Sequence, residues 1–216
     1  IRLIAQISSI LLVIGSDLKV INLGEYNYFG VIELGSISLI FTVFCVLGLI
    51  NAINFIDGID GLSSSIVTVG LISLLLFSYF FSSNIDDEFI FLLITILLVF
   101  LFFNFSIFNI NKVFLGDAGS TLIGFYLSCL LIYYSHPSIN FIHPVLVIWC
   151  CSIPLFDFVR VVLNRIIQEK NPFNPDNTHI HHMFQKLEYS DFKITSIISI
   201  SAITFSIIGG ITFYFF

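Results

Sequence analysis

A polar stretch between two apolar runs organises this sequence. It reads Asn51-Ala52-Ile53-Asn54-Phe55-Ile56-Asp57-Gly58-Ile59-Asp60-Gly61. An apolar run over residues 37–50 precedes it, and another over residues 66–81 follows it. Ionisable groups are costly at a bilayer, so two carboxylates at this position indicate a functional site. The alternative is a polar turn with aspartates as helix caps, but a plain turn does not need both aspartates and both asparagines.

The composition is that of a membrane protein. Hydrophobic residues make up 57% of the chain and charged residues 10%, with a mean hydropathy of +1.04, whereas soluble domains carry about 25% charged residues. A soluble fold cannot bury this much Phe, Ile and Leu, so we expect an all-α fold, a polytopic transmembrane helical bundle. The net charge is −6 and no basic patch is present, which argues against a nucleic-acid partner.

Seven apolar segments predict about seven membrane helices in a single membrane-embedded domain over residues 1–216. The segments cover residues 3–14, 37–56, 62–81, 89–108, 120–134, 141–163 and 194–214. The first segment is short for a crossing of about 20 residues, residue 1 is Ile, and the single methionine is Met183. We therefore expect a fragment that lacks upstream helices and is inactive by itself.

The distribution of basic residues orients these segments. If the seven segments alternate, Lys19 falls on one side of the membrane and the other seven of the eight basic residues fall on the opposite side. The positive-inside rule makes this second side cytoplasmic. The turns at 51–61 and 109–119 and the loop at 164–191 then all lie on the cytoplasmic face.

A second polar motif begins the fifth apolar segment. It reads Phe114-Leu115-Gly116-Asp117-Ala118-Gly119-Ser120. Glycines permit close backbone approach, and a helix N-terminus offers unpaired N–H groups to an anion. A carboxylate at this place can hold Mg²⁺, which prefers one or two carboxylates together with phosphates and waters. The alternative is a simple aspartate N-cap.

A third motif contains three histidines in four residues. It reads Pro172-Phe173-Asn174-Pro175-Asp176-Asn177-Thr178-His179-Ile180-His181-His182. The histidines could bind zinc, although no cysteine or acidic partner has suitable spacing, or they could hydrogen-bond to a phosphate-bearing ligand. Asp157 and Arg160 lie three residues apart near the end of the sixth segment, which suits either a structural ion pair or a ligand contact.

Together, the three motifs resemble those of the polyprenyl-phosphate N-acetylhexosamine-1-phosphate transferases, in the same order and with similar spacing. The third motif is similar to that of the bacterial branch that uses undecaprenyl phosphate and N-acetylglucosamine. The resemblance implies transfer of an N-acetylhexosamine 1-phosphate from a UDP-sugar to a polyprenyl phosphate, with release of UMP. This reaction would be the first membrane step of cell-envelope polysaccharide synthesis, at the cytoplasmic face of the bacterial inner membrane.

The resemblance also implies roles for individual residues. It makes Asp117 a Mg²⁺ ligand and Asn54 a second ligand, with Mn²⁺ as an alternative ion. It makes Asp57 and Asp60 the nucleotide-side and catalytic carboxylates. The residues expected to bind the substrate are Asn51, Arg160, His179, His181 and His182. The sequence leaves a homodimer open.

Two features depart from the family pattern, and two other functions remain open. No aspartate pair precedes the first segment, although the family uses one to handle the lipid phosphate, and Asn177 stands where the bacterial branch often has Arg. A cation-coupled secondary transporter would also carry acidic residues in its membrane segments, but near mid-helix and in two related halves. The third possibility is an inactive fragment of the transferase fold.

The charge distribution predicts the sidedness of the loops. We expect Lys112 and Lys170 to face the cytoplasm and Lys19 and Asp86 to face outward. Single cysteines at these positions, in a chain without native cysteines, can be labelled from outside intact cells. Labelling at position 170 but not at position 86 would reverse the orientation.

Overall fold

The computed structural model describes residues 2–81, 88–106, 111–139, 142–169 and 178–215. These described residues form nine α-helices and one two-stranded sheet. In chain order the elements are α1 (Arg2–Ile14), β1 (Asn22–Tyr26), β2 (Gly30–Glu33), α2 (Ser38–Ile56), α3 (Leu62–Phe81), α4 (Glu88–Asn104), α5 (Gly116–Ser135), α6 (Pro144–Cys150), α7 (Ser152–Ile167), α8 (Ile180–Gln185) and α9 (Asp191–Phe215).

The predicted helical bundle with several membrane spans agrees with this architecture, but the count of seven spans is not confirmed. Four described helices are long and apolar enough to cross a bilayer: α2 together with the 3-10 turn Gly35–Ile37 that precedes it, α3, α5 and α9. The pair α6 and α7 would supply a fifth span if it crosses as one unit. Helices α1, with 13 residues, and α4, with 17, are shorter than the roughly 20 residues that a crossing requires.

The sixth predicted segment, residues 141–163, is not one continuous helix. Helices α6 and α7 meet at an angle of 81°. Pro154 lies in the first turn of α7, where its missing N–H is tolerated; in a continuous helix its ring would clash with the carbonyl of Cys150. That carbonyl instead approaches α3, where a Cβ on Gly70 would lie only 2.8 Å from it. The proline therefore explains a break that hydropathy did not reveal.

The connection between α1 and α2, which contains Lys19, forms an antiparallel hairpin, so the fold is not helical throughout. Strands β1 and β2 pair through Glu25 with Val31 and Tyr26 with Gly30. His143, the N-cap of α6, ties the hairpin to the bundle: its Nε2 lies 3.2 Å from the carbonyl oxygen of Glu25. The hairpin lies before the start of α2, and the first motif lies at the end of α2. The 19 residues of α2, at 1.5 Å per residue, therefore separate the hairpin from the first motif by about 28 Å.

The core lies where α2, α3, α5 and α9 pack together. Fully buried side chains such as Ile53 and Leu62 fill it. Helices α2 and α5 lie close together at Gly124, where an added Cβ would lie 3.1 Å from the Cα of Ile50 and 3.3 Å from the Cβ of Ile53. This approach brings the end of α2 next to the beginning of α5, and with them the first two motifs.

We expect the substitution Gly124→Leu to destabilise the protein by about 1–3 kcal/mol, because a larger side chain must push α2 away from α5. The midpoint of thermal unfolding in detergent measures this effect. Gly48→Leu is the matched control on α2, since no atom lies within 4 Å of a Cβ added at Gly48. Equal midpoints for the two variants would contradict the proposed importance of this contact.

Candidate functional site

Asp57 stands at the turn between α2 and α3, held from both helices. Its backbone N–H donates to the carbonyl oxygen of Asn54 at 3.3 Å. Its Oδ1 accepts a 2.5 Å hydrogen bond from Ser63 Oγ in the first turn of α3. Gly61 completes the turn with φ +69°, a conformation that favours glycine. The turn therefore presents the Asp57 carboxylate at a defined place at the end of the bundle.

The first turn of α5 meets the end of α2. Asn54 Nδ2 donates to Ser120 Oγ at 2.7 Å, and this bond joins the first and second motifs. Asp117 lies in the same first turn, with its side chain 88% exposed and its Oδ2 3.7 Å from Arg2 Nη1. The positive end of the helix dipole favours a carboxylate there. Asp117 is thus an accessible anion beside the Asp57 turn.

The two carboxylates influence each other. Burial raises the pKa of Asp57 above its ordinary value, hydrogen bonds from Ser63 and Ser120 lower it in part, and the negative charge of Asp117 raises it again. A raised pKa means that the folded protein disfavours the charged form of this group. A cation bound between Asp57 and Asp117 would relieve both the burial cost and the repulsion.

Asp60 has a different electrostatic environment from Asp57. Lys112 Nζ lies 2.5 Å from Asp60 Oδ2, and this hydrogen bond raises the pKa of Lys112. The backbone carbonyl of Asp60 accepts a 2.9 Å bond from Thr195 Oγ1 at the start of α9. A lysine therefore compensates the charge of Asp60, whereas Asp57 is held by hydroxyl groups and faces a second carboxylate.

Helix α8 places the histidines against the Asp57 turn. His181 is 1% exposed, and neither of its ring nitrogens has a hydrogen-bond partner among the described residues. A Cβ added to Gly58 would collide with His181 Nε2, so only a glycine allows this approach. Burial, and to a lesser extent the charges of His182 and His179, lowers the pKa of His181 to about 4. His181 is therefore neutral at pH 7 and offers one donor and one acceptor nitrogen.

Asp157 on α7 holds the residues that begin α8. This carboxylate is 5% exposed. Its Oδ2 lies 2.8 Å from His179 Nδ1, and its Oδ1 accepts bonds from Arg160 Nη2 at 2.7 Å and from the backbone N–H of Ile180 at 3.1 Å. Arg160 also donates to the carbonyl oxygen of Thr178 at 2.5 Å. The ion pair anticipated in the sequence is thus one part of a larger contact.

The structure brings only part of the predicted site into direct contact. Asn54, Asp57 and Asp117 lie together, with His181 against the same turn. Asp60 pairs with Lys112, and Arg160 and His179 with Asp157. Asn51 and His182 make only local bonds: Asn51 Nδ2 donates to Leu47 O on α2, and His182 Nδ1 lies 2.9 Å from Gln185 Oε1. The substrate contacts assigned to Asn51, Arg160 and His182 therefore stay predictions.

The structure adds four residues that sequence reasoning did not place in the site: Ser63, Lys112, Ser120 and Asp157. Ser120 ends the second motif, and Ser63 lies two residues beyond the first, so proximity to the motifs was a usable signal. Asp157 was visible through its three-residue spacing from Arg160. No pattern in the sequence connects Lys112 to Asp60, which lies 52 residues away.

The donor set suits a hard cation better than zinc. Among the described residues, no three His, Cys, Asp or Glu side chains are grouped so that they could hold a metal ion. The three histidines therefore lend no support to a structural zinc site. Asp57 and Asp117 offer carboxylate oxygens, and Asn54 keeps Oδ1 available because its Nδ2 is bonded to Ser120. Mg²⁺ uses such oxygens together with phosphates and waters.

Comparison with curated proteins finds relatives over about half of the chain. An undecaprenyl-phosphate alpha-N-acetylglucosaminyl 1-phosphate transferase of Yersinia pestis is 36% identical over 100 residues, which are 46% of this chain and 27% of that protein. The protein of the same name from Escherichia coli K12 is 36% identical over 103 residues, which are 48% of this chain and 28% of that protein. The matches thus span little more than a quarter of the length of these relatives.

A family model gives a longer match than these relatives. The model described as glycosyl transferase family 4 matches residues 1–135, which contain the first two motifs and the contact between Asn54 and Ser120. The third motif lies beyond the matched residues, yet the structure packs it against the first through His181 and Gly58. Since the match covers well over half of the 216 residues, the chain belongs to glycosyl transferase family 4.

Proposed function

We propose that this protein transfers N-acetylglucosamine 1-phosphate from UDP-N-acetylglucosamine to a polyprenyl phosphate and releases UMP. An oxygen of the lipid phosphate forms a bond to the sugar-linked phosphorus, and the bond from that phosphorus to UMP breaks. The observation that carries the proposal is the meeting of three motifs, from distant parts of the chain, at one end of the bundle. The names of the relatives and the family support the same reaction.

The chemistry requires a site that can hold negatively charged phosphates at a membrane surface. Phosphoryl transfer depends mainly on positioning and on neutralising charge. Asp57, Asp117 and Asn54 would hold Mg²⁺ through their oxygens. When bound, Mg²⁺ supplies charge neutralisation at the phosphate oxygens. Without such a cation, two carboxylates at this place would repel the substrate.

The histidine helix would complete the binding site for the sugar nucleotide. His181 is buried and neutral, so it can donate one hydrogen bond to a phosphate or sugar oxygen without adding a fixed charge. Its unpartnered nitrogens make this role attractive, because buried polar atoms normally find a hydrogen-bond partner. His179 lies beside it, with the two ring centroids 6.2 Å apart.

The arrangement fits one soluble and one lipid substrate. The motifs lie at ends of α2 and α5, and apolar helices extend from there into the bilayer region. A UDP-sugar would arrive from the cytoplasm, and the polyprenyl phosphate would keep its tail in the membrane. A transporter would place its ion-binding acids nearer the middle of the spans, whereas Asp57, Asp60 and Asp117 lie at helix ends or in a turn.

A direct assay tests this proposal. Membranes containing the protein are incubated with undecaprenyl phosphate, Mg²⁺ and UDP-N-acetylglucosamine labelled in the sugar. A transferase converts the label to a form that is soluble in organic solvent and releases UMP in equal amount. Label that enters sealed vesicles as intact sugar nucleotide would identify a transporter instead. Label that stays outside and water-soluble, with no UMP formed, would contradict both functions and identify the third possibility, an inactive fragment of the transferase fold.

We expect Asp117→Asn to reduce transfer by at least about 100-fold, because an amide is a weaker ligand for Mg²⁺ and does not neutralise its charge. Asp117 is exposed, so the change in folding stability should stay within about 0.5 kcal/mol. Rates at several Mg²⁺ concentrations, with thermal unfolding alongside, measure both effects. Asp17→Asn is the control, since Asp17 is an exposed acid between α1 and β1, outside the three motifs. Near-normal turnover of Asp117→Asn would remove this residue from the site.

We expect Asp57→Asn to lose activity and gain stability. The folded protein disfavours the ionised carboxylate, so above the raised pKa of Asp57 the charge costs stability, and the amide removes that cost. Thermal unfolding should therefore occur at a higher temperature than for the wild type at pH 7. The difference should shrink as the pH falls through the raised pKa, because the wild-type carboxyl then becomes neutral. Transfer should fall at least about 100-fold.

The two measurements on Asp57→Asn are independent of each other. A lower unfolding temperature at pH 7 would show that the carboxylate stabilises the fold, against the electrostatic argument. Wild-type turnover would show that its charge is not used in the reaction. Ser63 can still donate to the remaining amide oxygen, so the turn should keep its hydrogen bond.

A further inference from the structure

Asp157 is a buried carboxylate that the proposed reaction does not use directly. It lies on α7, outside the three motifs, and is 5% exposed. A buried charge is costly unless it is paired and hydrogen-bonded. Asp157 meets this condition through Arg160, His179 and the backbone N–H of Ile180, at 2.7, 2.8 and 3.1 Å. Two of these three donors belong to the start of the histidine helix.

Helix α8 needs an external partner to keep its place. It has six residues, Ile180–Gln185, and the side chain of its N-cap, His179, makes no capping hydrogen bond. The first backbone N–H groups of a helix have no partner inside the helix, and isolated helices of this length are unstable. The Asp157 carboxylate accepts one of these N–H groups from 23 residues away in the chain. It therefore acts as the cap that α8 lacks.

The same carboxylate fixes the side chain that precedes α8. An ionised carboxylate only accepts hydrogen bonds, so His179 Nδ1 carries the hydrogen that points at Asp157. The ring of His179 then lies with its centroid 5.5 Å from that of Phe55 on α2. Arg160 adds a second link by donating both to Asp157 and to the carbonyl oxygen of Thr178. Residues 178–180 are thus attached to α7 at three successive positions.

The position of α8 in turn decides where His181 lies. Its ring is packed so closely on Gly58 that no side chain larger than hydrogen fits there. A small movement of α8 would open this contact and expose the buried imidazole next to Asp57. The three bonds at Asp157 therefore control the distance between the third motif and the first, although Asp157 contacts neither Gly58 nor Asp57 in any described bond.

We propose that Asp157 is a positioning residue that anchors helix α8 and thereby holds His179 and His181 against the Asp57–Gly58 turn for binding of the sugar nucleotide. The proposal rests on the proposed function for the identity of the ligand. The anchoring itself is a property of the folded chain and does not depend on any reaction.

The test combines amide hydrogen exchange with steady-state kinetics, on the full chain in lipid nanodiscs. Asp157→Ala removes all three bonds, and Asp157→Asn keeps the shape of the side chain but removes its charge. Asp17→Asn is the control, because it removes an exposed carboxylate between α1 and β1. Exchange is followed at residues 180–185 and, for comparison, in α2 and α3.

We expect Asp157→Ala to speed exchange in α8 by about 10- to 100-fold, the size of effect that follows from losing hydrogen bonds to a buried charged group. Asp157→Asn should give a smaller increase, and the control none. The KM for UDP-N-acetylglucosamine should rise about tenfold, while the KM for undecaprenyl phosphate stays within about twofold, because only the sugar-nucleotide side is disturbed. Exchange in α2 and α3 should not change.

Three outcomes would overturn this role. Wild-type exchange in α8 in both Asp157 variants would show that the carboxylate does not anchor the helix. Faster exchange with unchanged kinetics would show that the anchored position is not used in binding. An equal rise in both KM values, with faster exchange in α2 and α3, would indicate a general loss of structure. If the wild type makes no lipid-linked sugar, the proposed function fails, and the exchange data still decide whether Asp157 anchors α8.

Discussion

The close approach of α2 and α5 is the contact on which the rest of the site depends. Gly124 leaves only hydrogen between α5 and the backbone of Ile50, so the two helices can come together. At the end of this contact, Asn54 reaches Ser120 at 2.7 Å. Hydrogen bonds between helices in an apolar environment specify their relative position, since an unpaired amide there would be costly. The carboxylates of Asp57 and Asp117 are neighbours because these two helices are.

The acidic residues of the site differ in the groups that compensate their negative charges. Asp60 has Lys112, and Asp157 has Arg160 and His179. Asp57 instead has hydroxyl donors, which lower its pKa only in part, whereas burial and the neighbouring carboxylate of Asp117 raise it. Perturbed pKa values cluster at functional sites. The arrangement thus distinguishes Asp57, which hydroxyl groups hold, from Asp60 and Asp157, which have basic partners.

The break between α6 and α7 gives the chain a helix that ends beside the site. Pro154 prevents a continuous helix, and the bend of 81° redirects α7. Asp157 lies one turn beyond that proline and meets the start of α8. If the helix continued straight from α6, Asp157 would lie in a different position relative to α8. The bend and the anchoring of the histidine helix are therefore linked. A departure from the predicted regular spans therefore contributes directly to the site.

Much of the architecture followed from composition and hydropathy, because burying apolar surface in a bilayer leaves few alternatives to helices. The bounds of α3 at Leu62–Phe81 agree with the predicted segment, and α2 ends at Ile56 as expected. The hairpin at Asn22–Tyr26 and Gly30–Glu33 and the break at Cys151 were missed. The hairpin is tied to the bundle by a distant residue, His143, and the break follows from the backbone chemistry of Pro154. A hydropathy window registers neither of these features.

By itself, the sequence determined the class of the protein and the three motifs, since residue type and spacing along the chain are local properties. Only the tertiary structure decided which members of those motifs meet. Lys112 compensates Asp60 across 52 residues, and Asp157 holds Ile180 across 23. The pKa of Asp57 depends on burial and on the charge of Asp117 on another helix. Such pairings arise from the packing of helices, because electrostatic and hydrogen-bond energies depend on distances in space rather than on separation in sequence.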